Sequence, residues 1–132
     1  MNPANILARY GTMQASTSSP GQILVMLYDG LFRFLNEAKT AILEKRRARA
    51  GELISRAHAI LDTLNSTLIP SHAPELCANL EALYLYCMQR LIMANIQTKV
   101  EPLDEVLQVL APLRAAWTEI IAHHSPPRAA VR

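Results

Sequence analysis

The chain has only four glycines and two cysteines in 132 residues, and each shortage excludes something. So few glycines leave too few turn formers for an all-β sandwich or barrel. Cys77 and Cys87 lie ten residues apart within one predicted helix, a separation of roughly 15 Å along its axis. A disulfide needs Cα atoms within about 7 Å, so both are expected as reduced, buried thiols. Charged residues make up 18% of the chain against 51% hydrophobic, which excludes a wholly disordered protein. The longest unbroken apolar run, 82–88, is far short of the roughly 18 residues of a membrane span. No basic stretch followed by an apolar run opens the chain, so neither a secretory signal nor direct membrane insertion is expected. A net charge of +2 is too small to argue for nucleic acid. What remains is one small cytoplasmic domain built from helices.

Signatures of chemistry are missing as well. There is no glycine-rich phosphate loop, no Cys-x-x-Cys, no His-Glu-x-x-His and no Glu-x-x-His pair. His123 and His124 are adjacent, so on a helix they point about 100° apart and cannot share a metal. His58 falls at the edge of an apolar stripe and His72 between two prolines, and both read as surface. The run from Lys45 to Arg49 has no interleaved aromatic and reads as a solvated junction. No catalytic residue, metal or cofactor is expected; a metal-binding bundle and a basic nucleic-acid binder are the readings set aside.

What is present is helical periodicity. Ser19-Pro20-Gly21-Gln22 is a helix start, with Ser19 as N-cap, Pro20 in the first turn and Gln22 placed for a capping box. The first helix then runs to about residue 44. A second is predicted over about 50–68, with Leu53, Ile54, Ala57, Ile60, Leu61, Leu64 and Leu68 on one stripe. Pro70 and Pro74 bracket a turn, and a third helix spans about 75–98. The fourth opens near Pro102 with Asp104 and Glu105 in its first turn, where acidic residues complement the helix dipole. Its stripe keeps phase through Pro112, which predicts one kinked helix rather than two, and Ser125-Pro126-Pro127 ends it. Four helices with short connections predict an all-α, antiparallel four-helix bundle over 19–124. A flexible leader, 1–18, and a disordered tail, 125–132, flank it.

Two helices carry more apolar surface than a bundle needs. The first half of helix one is apolar nearly all round, since Ile23, Val25, Met26 and Phe32 lie outside its main stripe. Helix three has a core face through Leu80, Tyr84, Cys87 and Leu91, and a second face of Leu85, Met88, Ile92 and Ile96. Such surplus is either covered by loops and neighbours or forms a groove for a partner helix. In the leader, Ile6, Leu7, Tyr10 and Met13 make one face of a two-turn helix that could lie over such a groove as a lid.

In order along the chain stand Tyr10, Ser18-Ser19-Pro20-Gly21, Met26-Leu27-Tyr28-Asp29-Gly30, Tyr84-Leu85-Tyr86, Arg90-Leu91, Ala94-Asn95 and Arg114-Ala115-Ala116-Trp117. This ordered set resembles the flagellin-specific export chaperone family FliS. The resemblance spans about residues 8–122. It implies a bacterial cytoplasmic chaperone that binds the disordered C-terminal segment of flagellin in an apolar groove. The chaperone would prevent premature polymerisation and deliver its client to the export-gate component FlhA. It implies that the leader caps the groove when the client is absent and that Tyr10 belongs to this cap, in agreement with the apolar face of Ile6, Leu7 and Tyr10 read from spacing. It further implies that Tyr28, with Ile60 and Leu64 of helix two and Leu85, Met88, Ile92 and Asn95 of helix three, forms the groove or its supports. A homodimer stays open, and the alternative is a non-catalytic adaptor that binds another amphipathic helix.

Overall fold

The computed structural model describes residues 20–71 and 73–124. The leader with Ile6, Leu7 and Tyr10, the Ser19 cap, His72 and the tail lie outside the described residues. Within them are four helices: α1 (Pro20–Leu43), α2 (Arg47–Ser66), α3 (Pro74–Gln97) and α4 (Glu101–His124). Packing runs α1 on α2, α2 on α3, α3 on α4 and α4 back on α1, so the four form a closed ring around one core. Connections of a few residues make consecutive helices antiparallel.

The buried residues follow the spacing of a coiled-coil seam. On α3 they are Cys77, Leu80, Tyr84, Cys87, Leu91 and Ala94, alternating steps of three and four. Leu24, Tyr28, Leu31, Leu35 and Ala38 on α1 repeat the pattern, as do Leu103, Val106, Leu110 and Trp117 on α4. Pro112 lies inside α4, which continues through it as one element, with the proline on the exposed side.

One polar contact crosses the core. The Tyr28 and Tyr84 hydroxyls are hydrogen-bonded at 2.6 Å, joining α1 to α3. Burial pushes both phenols above their usual range. Burial also pushes the nearby Cys87 thiol up to about 12, so it stays an inert thiol. The Trp117 indole N–H lies close enough to Tyr28 to oppose that rise, yet makes no hydrogen bond of normal geometry.

The connections show why the basic junction is shorter than expected. After α1, Lys45 takes φ 61°. The Arg46 N–H reaches Ala41 O at 2.8 Å and the Lys45 N–H reaches Ile42 O at 3.0 Å. This is a Schellman turn with lysine where glycine is usual. It reverses the chain at once, so α2 begins at Arg47, three residues ahead of expectation, and absorbs the arginines, which are good helix formers. Thr98 ends α3 the same way, at φ 53° and ψ 51°, an uncommon conformation for a β-branched residue. At the opposite end the ring closes tightly: a Cβ on Gly21 would sit 2.7 Å from Ile121.

Candidate functional site

The four seams between neighbouring helices differ in what crosses them. Between α1 and α2, Arg49 pairs with Glu37 at 3.8 Å, and the Arg56 guanidinium lies 5.9 Å from the Phe34 ring centre. Between α1 and α4, Lys39 pairs with Asp104 and Arg114 with Asp29, both at 2.5 Å. Arg114 also lies over Phe32, 4.8 Å from the ring centre. Between α3 and α4, Arg90 donates to Glu105 at 2.7 Å and the Tyr86 hydroxyl donates to the same carboxylate. That hydroxyl, followed by Arg90, holds Glu105 below the usual carboxylate range, while the contact raises Tyr86. Among the described residues no ion pair spans the α2–α3 seam.

That seam is instead hollow. Ile54, Ser55 and His58 of α2 face Ile92, Asn95 and Ile96 of α3 across a space of about 340 Å³. A second hollow of about 260 Å³ shares Ile54, Asn95 and Ile96 and extends to Arg47 and Thr98 at the junction end. A third, of about 230 Å³, opens at the other end between Asn65 of α2, Leu68 of the connection after it, and Cys77, Ala78 and Glu81 of α3. Leu85 and Ile92 are each 49% exposed and Ile96 is 71% exposed. Uncovered apolar side chains in a row beside a groove mark an interaction surface. The floor is set partly by Gly51: a Cβ there would lie 3.3 Å from Asn95 Oδ1, so glycine lets Asn95 lean across onto α2. A larger hollow of about 630 Å³ lies along α1 and α4. Arg114, one of its lining residues, pairs with Asp29 and lies over the Phe32 ring.

The expected groove residues divide into three groups. Leu85, Met88, Ile92 and Asn95 each follow a core position of α3 by one residue, which turns them toward α2. The residues one step before the core, Tyr86 and Arg90, reach α4. Ile92 and Asn95 line the groove, Leu85 flanks it, and Met88 is partly buried against the core. Tyr28 and Leu64 are fully buried and offer no contact surface, so they can act only as supports. Ile60 is on the other side of α2: a Cβ on Gly30 of α1 would lie 3.6 Å from its Cδ1. His58, read from sequence as plain surface, lines the groove instead. Arg47, Ile54 and Asn65 line the hollows without having been expected there: Ile54 reads from sequence as core stripe and Arg47 as part of a solvated junction, and only their phase on α2 could have placed them. Among the described residues no group of three or more His, Cys, Asp and Glu is placed to hold a metal, and no helix is long and apolar enough to cross a membrane.

Comparison with known proteins agrees on one family. Residues 3–124 match the family described as flagellar protein FliS. The flagellar secretion chaperone FliS of Bacillus subtilis is 33% identical over 117 residues, covering 89% of this chain and 86% of that protein. Its counterpart in Campylobacter jejuni is 32% identical, over 84% of this chain and 87% of its own. That of Salmonella typhimurium is 31% identical, over 79% and 78%.

Proposed function

The chain belongs to the FliS family, and from that premise we propose that it is a cytoplasmic, non-catalytic chaperone whose client is the C-terminal segment of flagellin. The client lies in the α2–α3 groove. The observation that carries this reading is the groove itself: an apolar hollow, flanked by exposed Leu85, Ile92 and Ile96, on the seam that no ion pair crosses among the described residues. A disordered segment with an amphipathic pattern would fold as it docks there, burying its apolar face against α3 at about 25 cal/mol per Å². Ordering the segment consumes about 2–5 kcal/mol of that gain, so binding is reversible enough for later release. A covered end cannot polymerise, and the loaded chaperone hands its client to FlhA at the export gate.

Calorimetric titration with the C-terminal segment of flagellin from the same organism tests the reading. One-to-one binding with a large negative heat-capacity change is expected. A folded sample that takes up no segment overturns it. A second copy of the chain is the competing occupant, and would show as a concentration-dependent doubling of mass in place of client uptake.

A further inference from the structure

One end of the bundle gathers charge and apolar surface that the fold does not need. There the chain passes from α1 to α2 through 44–46 and from α3 to α4 through 98–100. Both connections turn on a left-handed residue, Lys45 at φ 61° and Thr98 at φ 53°, which keeps them short. With the helix ends beside them they carry Lys45, Arg46, Arg47 and Lys99 against Glu44 and Glu101, all exposed. That excess of positive charge equals the +2 of the whole chain. Arg46 approaches Glu44 at 3.5 Å, while Lys45, Arg47 and Lys99 make no ion pair with any described residue. Helix stability does not call for these cations. The first turn of α2 begins at Arg47 and holds no acidic residue, although the helix dipole favours negative charge there.

The same end carries the two most exposed large apolar side chains among the described residues. Leu43, the last residue of α1, is 72% exposed, and Ile96, near the end of α3, is 71% exposed. One turn before Leu43, Lys39 pairs with Asp104, so Leu43 stands on the α4 side of α1. Ile96 stands on the α2 side of α3. Because α1 and α3 are diagonal in the ring, the two side chains occupy opposite corners, with the basic connections beside them. A partner that uses this end has to meet both corners and both connections at once. A docked helix fills one seam, and nucleic acid offers nothing to Leu43 and Ile96. A bilayer rich in anionic phospholipid extends across the whole end, with phosphate headgroups for the cations and acyl chains just beneath for the aliphatic groups. We infer that this end is a membrane-facing surface. It rests reversibly on anionic lipid, with Leu43 and Ile96 dipped into the interface and Lys45, Arg46, Arg47 and Lys99 among the headgroups. No helix crosses the bilayer in this arrangement. The inference is independent of where the client sits, since Leu43, Lys45 and Lys99 line none of the α2–α3 hollows.

The test sediments the full chain with extruded vesicles of phosphatidylglycerol and phosphatidylcholine, and with vesicles of phosphatidylcholine alone. Uptake by the anionic vesicles only is expected, and it should fall as salt rises from about 0.1 to 0.5 M. Each basic side chain near such a surface is worth roughly fivefold in partition, so Lys45→Gln/Lys99→Gln should bind roughly twenty- to thirtyfold more weakly. Leu43→Ser should lose roughly three- to tenfold and keep the salt dependence, because it removes only the dipped apolar group. Arg33→Gln/Arg56→Gln takes the same charge from exposed positions along the sides of α1 and α2 and should stay within about threefold. Circular dichroism and the thermal midpoint check that each variant is folded. Equal losses in the two double variants reduce the effect to net charge and overturn the orientation. Equal uptake by both kinds of vesicle, no uptake by either, or full affinity in Leu43→Ser overturns the lipid contact. Binding of poly-glutamate through Lys45 and Lys99 by a chain that ignores vesicles gives this end to an acidic protein instead.

Discussion

The α1–α4 and α2–α3 seams start from the same material, two apolar stripes laid side by side, and end as different surfaces. Along α1–α4 ion pairs cross the flank: Asp29 and Lys39 on one helix meet Arg114 and Asp104 on the other, and Arg114 lies over Phe32, beside a hollow lined also by Ala111, Ala115 and Ala122. Along α2–α3 the flanking residues are Ser55 and His58 against Ile92 and Ile96. Each exposed ion pair contributes little, about 0–1 kcal/mol, so the charged seam is not held shut chiefly by charge. Its effect is to occupy the flank with groups that water already satisfies. A flank of isoleucines has no such partner, and its surface stays available to another chain. The bundle is thus stable through its core and selective through what lies just outside it.

The comparison breaks most sharply at Ile92. Ile92→Asp puts a carboxylate into the apolar wall of the groove and is expected to weaken client binding at least about thirtyfold. The half-exposed site leaves the thermal midpoint nearly unchanged. A large fall in that midpoint would show that Ile92 serves the core, and the distinction between the seams would lose its main support. Asn65→Leu sharpens the contrast, because it removes a buried acceptor that no residue satisfies. Stability is expected to rise by about 1 kcal/mol in denaturant unfolding. A drop in stability would mean that the amide holds the α2–α3 turn. Arg114→Ala acts on the closed seam, and is expected to cost about 0.5–1 kcal/mol in unfolding with client affinity unchanged. A loss of affinity there would move the docking surface to α1–α4.

The smallest effect is set by pH. Glu105 sits below its ordinary value of 4.5 because Tyr86 and Arg90 favour its charged form. Its contribution is therefore complete above about 4.5 and is lost as pH falls through the lower folded value. Between these limits the NMR signals of Tyr86 and Arg90 should shift, while those of Ile54 and Ile92, with no carboxylate in the groove lining around them, hold still. Equal shifts in both groups would erase the electrostatic difference between the seams.

How far these features were legible in the sequence follows from what each depends on. Helix positions and core stripes depend on local spacing, and the seam of Leu80, Tyr84, Cys87 and Leu91 could be read directly. So could the second apolar face of α3, because a stripe of Leu85, Met88, Ile92 and Ile96 exceeds what one core needs. Which neighbour a flank meets depends on the order of helices round the ring, which spacing does not specify. Ile60 belongs to the stripe of α2 but leans toward Gly30 of α1, away from the groove. Tyr28 enters the sequence reading only through the family resemblance, and its hydroxyl is satisfied by Tyr84, 56 residues away, a pairing no local pattern announces. The turns at Lys45 and Thr98 were hidden for another reason: both take the left-handed conformation without the glycine that normally signals it.

Trp117 is the only tryptophan in the chain, and it is buried on α4 against the core rather than beside the α2–α3 groove. Its fluorescence is consequently an optical gauge of the bundle alone. Emission should move to longer wavelength when the helices separate and remain constant when a tryptophan-free peptide docks. Folding and client uptake can therefore be followed in one cuvette without labelling the protein.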